Sequence, residues 1–403
     1  MKLKHLHIVA LAAALALASC SGDAPDAPDT DANIIAFSRP LVISPDDDSR
    51  ANLINSYLPE GQSFGVMGYC IPKRVNNTAE FEPTSGSSVW EVKKSLITPD
   101  VLNRAELQVA GNGCFYTGTA GLWYTTSMDP VKGNNVDPSA FSYTFIAYYP
   151  YNGRFTVSSE KGNDLGAPSL NYTVVYGSAD DPHGNGVGSP DNLIERHPDA
   201  TTDAMYAITT DHVRASGAVD LRFRHIMSGI SVQLNNYSET EDITVNSVTL
   251  EGGFYRNAKI DFAPSDPEIT VGNEMYYGKF QFLETEGTGA SRTVKPVTVP
   301  AQSAKTAGAT DAKPDGTVVL LLPNANGGEG KYLGEEKHIK ISYTYKGQTI
   351  DNIDVRFNLG RVPQAGTNYR LNINFLGDQI LLMLTANGIE YWQEGSDNDI
   401  IIN

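Results

Sequence analysis

Val219-Asp220-Leu221-Arg222-Phe223-Arg224 alternates apolar and charged side chains without a break. Successive side chains of a β-strand point to opposite faces, so this run buries one face and wets the other. The same period recurs in Leu371, Ile373 and Phe375, with Asn372 and Asn374 between them. Other short runs rich in β-branched and aromatic residues lie at 63–67, 140–149, 172–176, 204–208, 230–234, 243–250, 318–322, 339–345 and 353–357, bounded by Gly, Pro, Asn or Asp. That is the signature of antiparallel sandwiches, and the expected class is all-β. Helix is expected only as a few turns, at 99–107, where Pro99 and Asp100 open the segment.

The chain has 403 residues, of which 40% are hydrophobic and 19% charged, enough apolar surface to exclude disorder for most of it. Its formal charge is −17, from 30 Lys and Arg against 47 Asp and Glu, which repels a phosphate backbone and excludes nucleic acid as a partner. Two stretches, 177–202 and 284–316, are rich in Gly, Pro, Ser, Thr and charged residues and are expected to be surface loops or partly ordered extensions. The best boundary falls after the run at 204–208. It divides the chain into an N-terminal sandwich at 51–212 and a C-terminal sandwich at 213–403, each large enough for its own core.

Ahead of these, Lys2 and Lys4 make a basic start, residues 8–17 are apolar, and Leu17-Ala18-Ser19-Cys20 follows. The apolar run is too short to span a bilayer, so residues 1–19 read as a signal peptide. The tetrad resembles a bacterial lipobox, which implies lipidation of Cys20. Residues 21–33 carry four Asp and no large apolar side chain, as a solvated tether does. Two apolar patches then appear within 20–50: Ile34-Ile35-Ala36-Phe37 and Leu41-Val42-Ile43.

Little in the sequence points to chemistry. No nucleophile elbow, zinc-protease motif or phosphate loop occurs, and Gly184-Asn185-Gly186-Val187-Gly188 is loop composition without a following helix. Asp46-Asp47-Asp48 lacks the spaced oxygen partners that calcium requires, and it reads as a solvated acidic run. The five histidines after the signal never pair at i and i+4 or beside a cysteine, so no metal site and no cofactor are expected. Cys70 and Cys114 can form a disulfide in an exported protein, or stay as buried thiols. Trp90, Trp123 and Trp392 fill a core or, if exposed, stack on sugars. The reading is therefore non-enzymatic, with a monomeric glycan-binding surface lipoprotein as the alternative to a structural subunit.

Several segments in order resemble the fimbrillin family of type V pilus subunits. They are Gly61-Gln62-Ser63-Phe64-Gly65-Val66, Phe145-Ile146-Ala147-Tyr148-Tyr149-Pro150, Asp203-Ala204-Met205-Tyr206-Ala207, Leu221-Arg222-Phe223-Arg224-His225-Ile226-Met227-Ser228-Gly229-Ile230-Ser231-Val232, Gly366-Thr367-Asn368-Tyr369-Arg370-Leu371 and Ile389-Glu390-Tyr391-Trp392. The resemblance implies two tandem transthyretin-like antiparallel β-sandwich domains, and display on the outer membrane as a lipoprotein of a fimbrium supporting adhesion. It also implies polymerisation with other fimbrial subunits by β-strand exchange, after an Arg-specific surface protease removes an N-terminal strand. On this sequence the candidate cleavage points are Arg50, before Ala51, and Arg39, whose following Pro40 resists trypsin-like proteases; Arg74 is a distant third. The candidate donor strand is Ile380, Leu381, Leu382, Met383 and Leu384, unless it stays as the last strand of its own sheet. His225 is expected to hold a backbone or carboxylate partner rather than act as a base.

Overall fold

The computed structural model describes residues 33–43, 56–72, 90, 101–123, 141–157, 168–176, 186–196, 201–262, 264, 266–287, 293–304, 318–323, 337–357, 365–377, 379–387 and 398–401. The fold is all-β, with strands joined into several sheets and short 3-10 turns at Arg214–Ser216 and Gln302–Ala304.

Phe141–Tyr149 (FSYTFIAYY) is the spine of an eight-stranded sheet, and all nine of its residues are buried. The strand has no wet face, and even its polar Ser142 and Thr144 are buried, so both faces are covered. It pairs antiparallel with Ser63–Pro72 on one side and Met205–His212 on the other. Beyond Ser63–Pro72 come Leu102–Ala110 and Gly113–Tyr116; beyond Met205–His212 come Arg222–His225, Leu41–Val42 and Ser56–Tyr57. Phe145, Ala147 and Tyr149 point into one core with Phe64, Val66 and Phe223. Ile146 and Tyr148 point into a second with Met67, Tyr69 and Trp90. Tyr148 lies over Gly65, where a Cβ would run into the phenol ring.

Within the expected turns at 99–107, residues 102–107 are instead part of a strand. Leu102–Ala110 pairs with Ser63–Pro72, and its register slips between Val66 and Gly68, where Arg104 takes φ +54°. A bulge of this kind spoils the two-residue period, so the alternation that marks a strand is missing from this part of the sequence.

The other strands form three larger sheets and a small hairpin. A six-stranded sheet runs Gln348–Phe357, Lys337–Tyr345, Ile243–Tyr255, Met275–Gln281 and Ile194–Arg196, with Val297–Val299 also on Ile243–Tyr255. A five-stranded sheet runs Val319–Leu321, Ser228–Asn236, Asn368–Phe375, Ile380–Asn387 and Asn398–Ile401, and its Ser228–Asn236 and Asn368–Phe375 pair is parallel. Four strands join Glu268–Val271, Asn257–Asp261, Ser169–Thr173 and Phe155–Val157. Within the parallel pair Asn374 is buried rather than wet, and accepts a 2.7 Å bond from its ladder neighbour Asn235.

The ladders cross the expected 212/213 boundary in both directions. Ser169–Thr173 pairs with Asn257–Asp261 and Ile194–Arg196 with Gly278, Lys279 and Phe280, whereas Arg222–His225 belongs to the N-terminal sheet. The stretch at 177–202 thus contains a sheet strand. Buried Arg196 fixes it, donating to the Tyr176 carbonyl at 2.8 Å and the Gly186 carbonyl at 2.6 Å, with its guanidinium 5.1 Å from the Tyr276 ring centroid. The second core also draws on both halves, through contacts such as Tyr148 on Phe155, Phe155 on Tyr172 and Tyr206 on Phe262.

Overpacking a core costs about 1–3 kcal/mol. Gly65→Ala is therefore expected to lower the thermal midpoint by several degrees in scanning calorimetry, because its methyl meets Tyr148. Gly118→Ala, with nothing within 4 Å, is expected to leave the midpoint unchanged.

Candidate functional site: the N-terminal segment and its groove

Residues 33–43 lie between the two ends of the eight-stranded sheet. On one side Phe37 bridges Val219 in parallel, and Leu41–Val42 continues beside Arg222 and Phe223. On the other, Ile34 bridges Leu122 and Ser38 bridges Gly113, both antiparallel. Ser38, Leu41 and Ile43 donate backbone N–H groups to the carbonyls of Val219, Leu221 and Phe223 at 3.1, 3.0 and 3.1 Å. Ile35 and Arg39 donate the opposite way, to Gly121 and Asn112 at 2.9 and 3.0 Å, while the Phe37 and Asn33 carbonyls accept from Cys114 and Trp123. The segment thus serves as the strand that closes an otherwise open sheet, satisfying edge groups on both flanks.

Its side chains alternate accordingly. Ile35, Phe37 and Val42 are buried in the first core, and Phe37 stands edge-on to Phe145 at 5.4 Å and to Tyr116 at 6.3 Å. Burying each of these side chains stabilises the closed form by about 1.5–3 kcal/mol. Tyr116 Oη donates to the Ile35 carbonyl at 2.9 Å, and Cys114 Sγ to the Ser38 carbonyl at 3.5 Å. Burial pushes the Cys114 thiol up to about 12, opposed by the nearby Arg39 charge, and raises Tyr116 in the same way.

Arg39 sits inside this arrangement. Its Nε donates to the Leu58 carbonyl at 3.1 Å, its guanidinium lies 5.5 Å from the Tyr57 ring centroid, and Leu58 N donates to the Pro40 carbonyl at 3.1 Å. The Arg39–Pro40 bond is therefore held within a hydrogen-bonded segment. Cys20, Arg50, Arg74, Trp392 and the acidic run at 46–48 lie outside the described residues.

The structure does not join Cys70 to Cys114, which corrects that candidate pairing. Their strands are separated by Leu102–Ala110. Because Ser63 is level with Gln108, and Val109 with Cys114, Cys70 also lies several residues further along. At about 3.3 Å per residue the offset is roughly 25 Å, against a limit of about 7 Å between disulfide-bonded Cα atoms.

Ile380–Asn387, which contains the candidate donor residues, is paired on both sides: antiparallel with Asn368–Phe375, and through Leu381, Leu382, Met383 and Leu384 with Asn398–Ile401. Ile380 and Leu382 are buried in the second core. Trp90 and Trp123 are buried too, so neither offers a sugar platform. His225 Nδ1 lies 2.8 Å from the Asp203 carboxylate, both side chains being almost wholly buried. That pair ties Arg222–His225 to the start of Met205–His212, as expected of a structural histidine. The wall formed by Gly113–Tyr116 and Leu122 was not anticipated, although Gly111-Asn112 between Leu107-Gln108-Val109-Ala110 and Gly113-Cys114-Phe115-Tyr116 carries a two-residue hairpin signal, with Gly111 at φ +55°.

This geometry defines an all-β fold whose first sheet is closed by a seated N-terminal strand. A model of the fimbrillin-like family matches residues 136–392, and the chain belongs to that family, which consists of structural fimbrial subunits rather than enzymes. No curated protein matches the chain. Among solved structures it is similar to a Bacteroides ovatus protein assigned to cell adhesion, at 12% identity and a TM-score of 0.41, covering 90% of this chain and 99% of that one. A second from Bacteroides uniformis, also assigned to cell adhesion, has 13% identity and a TM-score of 0.41, covering 90% and 100%. The fimbrial anchor protein Mfa2 of Porphyromonas gingivalis has 12% identity and a TM-score of 0.29, covering 89% and 100%.

Cys114 reports on the seat. With its titration raised to about 12, it stays a neutral thiol at pH 8.5 and is expected to resist iodoacetamide in the intact protein. Cys114 bonds to the Phe37 and Ser38 carbonyls of the segment, so losing the segment is expected to expose the thiol and return it toward its ordinary value. Peptide mapping by mass spectrometry is then expected to show alkylation of Cys114 in the same reaction time.

Proposed function

We propose that the protein is a polymerising subunit of a surface fimbrium, exported as an outer-membrane lipoprotein through Cys20 and activated by loss of residues 33–43. An Arg-specific surface protease cuts after Arg50. The freed segment leaves, and a strand from a neighbouring subunit takes its place. The observation that carries this reading is the segment's position, hydrogen-bonded to two different sheet edges with Ile35, Phe37 and Val42 in the core between them. A seat with backbone donors and acceptors on both sides and an apolar floor accepts any strand of suitable pattern, because main-chain bonds supply affinity and alternate side chains supply fit.

Arg39 is the poorer cleavage point in this scheme. A protease needs several residues in extended, accessible form, and Arg39 is bonded through its backbone to Asn112 and through its side chain to Leu58. The donor is the C-terminal hairpin, from Ile380, Leu381, Leu382, Met383 and Leu384 onward. Among the described residues its outer strand Asn398–Ile401 pairs on one edge only, and in this scheme it is the first to detach.

Locking the seat tests the scheme. Ser38 and Gly113 are antiparallel partners, close enough for a disulfide. In a Cys114→Ser background, the oxidised Ser38→Cys/Gly113→Cys protein is expected to be cleaved after Arg50 yet to retain the segment and remain monomeric on native gels. Reductant is expected to restore polymers. Polymerisation of the oxidised form at the rate of the unlocked protein would overturn the reading.

A further inference from the structure

An open cleft of about 480 Å³ lies on the outer side of the seated segment. Arg222 and Asp220 contribute its charged wall, from the solvent-facing positions of the alternating strand whose Leu221 and Phe223 fill the core. Ser38 and Arg39 come from the segment, Asn112 from the opposite hairpin turn, and Tyr57 from the edge strand. The volume is within the range of small-ligand sites, roughly 300–1,000 Å³.

The chemistry of the lining is more informative than its size. The Arg222 guanidinium and the Asp220 carboxylate make no hydrogen bond or ion pair to any described residue. Arg39 is pre-set, with Nε on the Leu58 carbonyl and its guanidinium carbon 5.5 Å from the Tyr57 ring centroid, which leaves its terminal N–H groups available to a ligand. Two guanidinium groups beside one carboxylate make a locally cationic cleft on a chain whose formal charge is −17. Guanidinium forks match planar carboxylates in geometry and charge. Asp220 adds the opposite demand, since a carboxylate needs donors and repels a dianion such as phosphate. A ligand that satisfies both presents a carboxylate to the arginines and hydroxyl groups to Asp220, while Asn112 and Ser38 serve further hydroxyls. Tyr57, half exposed, offers an apolar edge for C–H groups.

We propose that this cleft binds a carboxylated sugar of the uronic or sialic acid class, giving the subunit an acidic-glycan site separate from its polymer joint. Ser38 and Arg39 belong to the segment, so the site is complete only while the segment is seated. That corollary rests on the excision proposed above, whereas the binding itself does not.

Isothermal titration calorimetry of the full chain with D-glucuronate and with N-acetylneuraminate tests it, with glucose and acetate as controls. At least one sugar acid is expected to bind saturably, weakening as salt rises. Glucose and acetate are expected to bind at least tenfold more weakly. Arg222→Ala is expected to reduce affinity at least tenfold, and Asp220→Asn several-fold. Arg222 and Asp220 are solvent-facing, so both variants are expected to keep the parent thermal midpoint. Absence of binding by both sugar acids, competition by acetate at equal concentration, or an Arg222→Ala variant of unchanged affinity would each overturn the assignment. If sugar binding is found and the Ser38–Gly113 lock leaves polymerisation untouched, the acidic-glycan site stands and the joint does not.

Discussion

Backbone polar groups at a sheet edge must find partners, and here one short segment supplies them to two edges at once. Residues 33–43 accept and donate toward Val219, Leu221 and Phe223 on one flank, and toward Asn112, Cys114, Gly121 and Trp123 on the other. The first core depends on that closure. Phe37 meets Phe145 from the spine strand and Tyr116 from the opposite hairpin, and with the segment gone those rings face a slot that water or another strand must fill.

The other face of the spine explains why such a rearrangement need not unfold the molecule. Ile146 and Tyr148 belong to the second core, which spans both halves of the chain and does not include the N-terminal segment. Strands from 155–196 complete sheets of the later half, and the buried Asp203–His225 pair fastens the strand that flanks the segment. One core is closed by the N-terminal segment, and the adjoining one is fixed by long-range ladders. Such a division would let a subunit exchange a strand, as proposed above, and keep its shape.

The class of fold was legible wherever one face is wet. Leu221 and Phe223 are buried while Asp220, Arg222 and Arg224 are exposed, as the alternation requires. The apolar patches at 34–37 and 41–43 also announced that they occupy a groove, although not which walls form it. Legibility ended where non-local pairing decides the outcome. Nothing local in Ile194–Arg196 tells of its parallel partnership with Gly278, Lys279 and Phe280, and the bulge at Arg104 disguised a strand as helical turns. Polar residues misled for a similar reason: Asn374 reads as solvent-facing until its ladder neighbour Asn235 is known. The outer cleft was invisible to the sequence, because its lining comes from four separate strands and turns.

The central claim is that the assembled form has lost the segment that closes the sheet. The most direct measurement is the N-terminus and intact mass of the protein recovered from surface polymers. The account requires chains that begin at Ala51, with residues 33–43 absent. Assembled chains that still carry an acylated Cys20 and an intact 33–43 segment would contradict it.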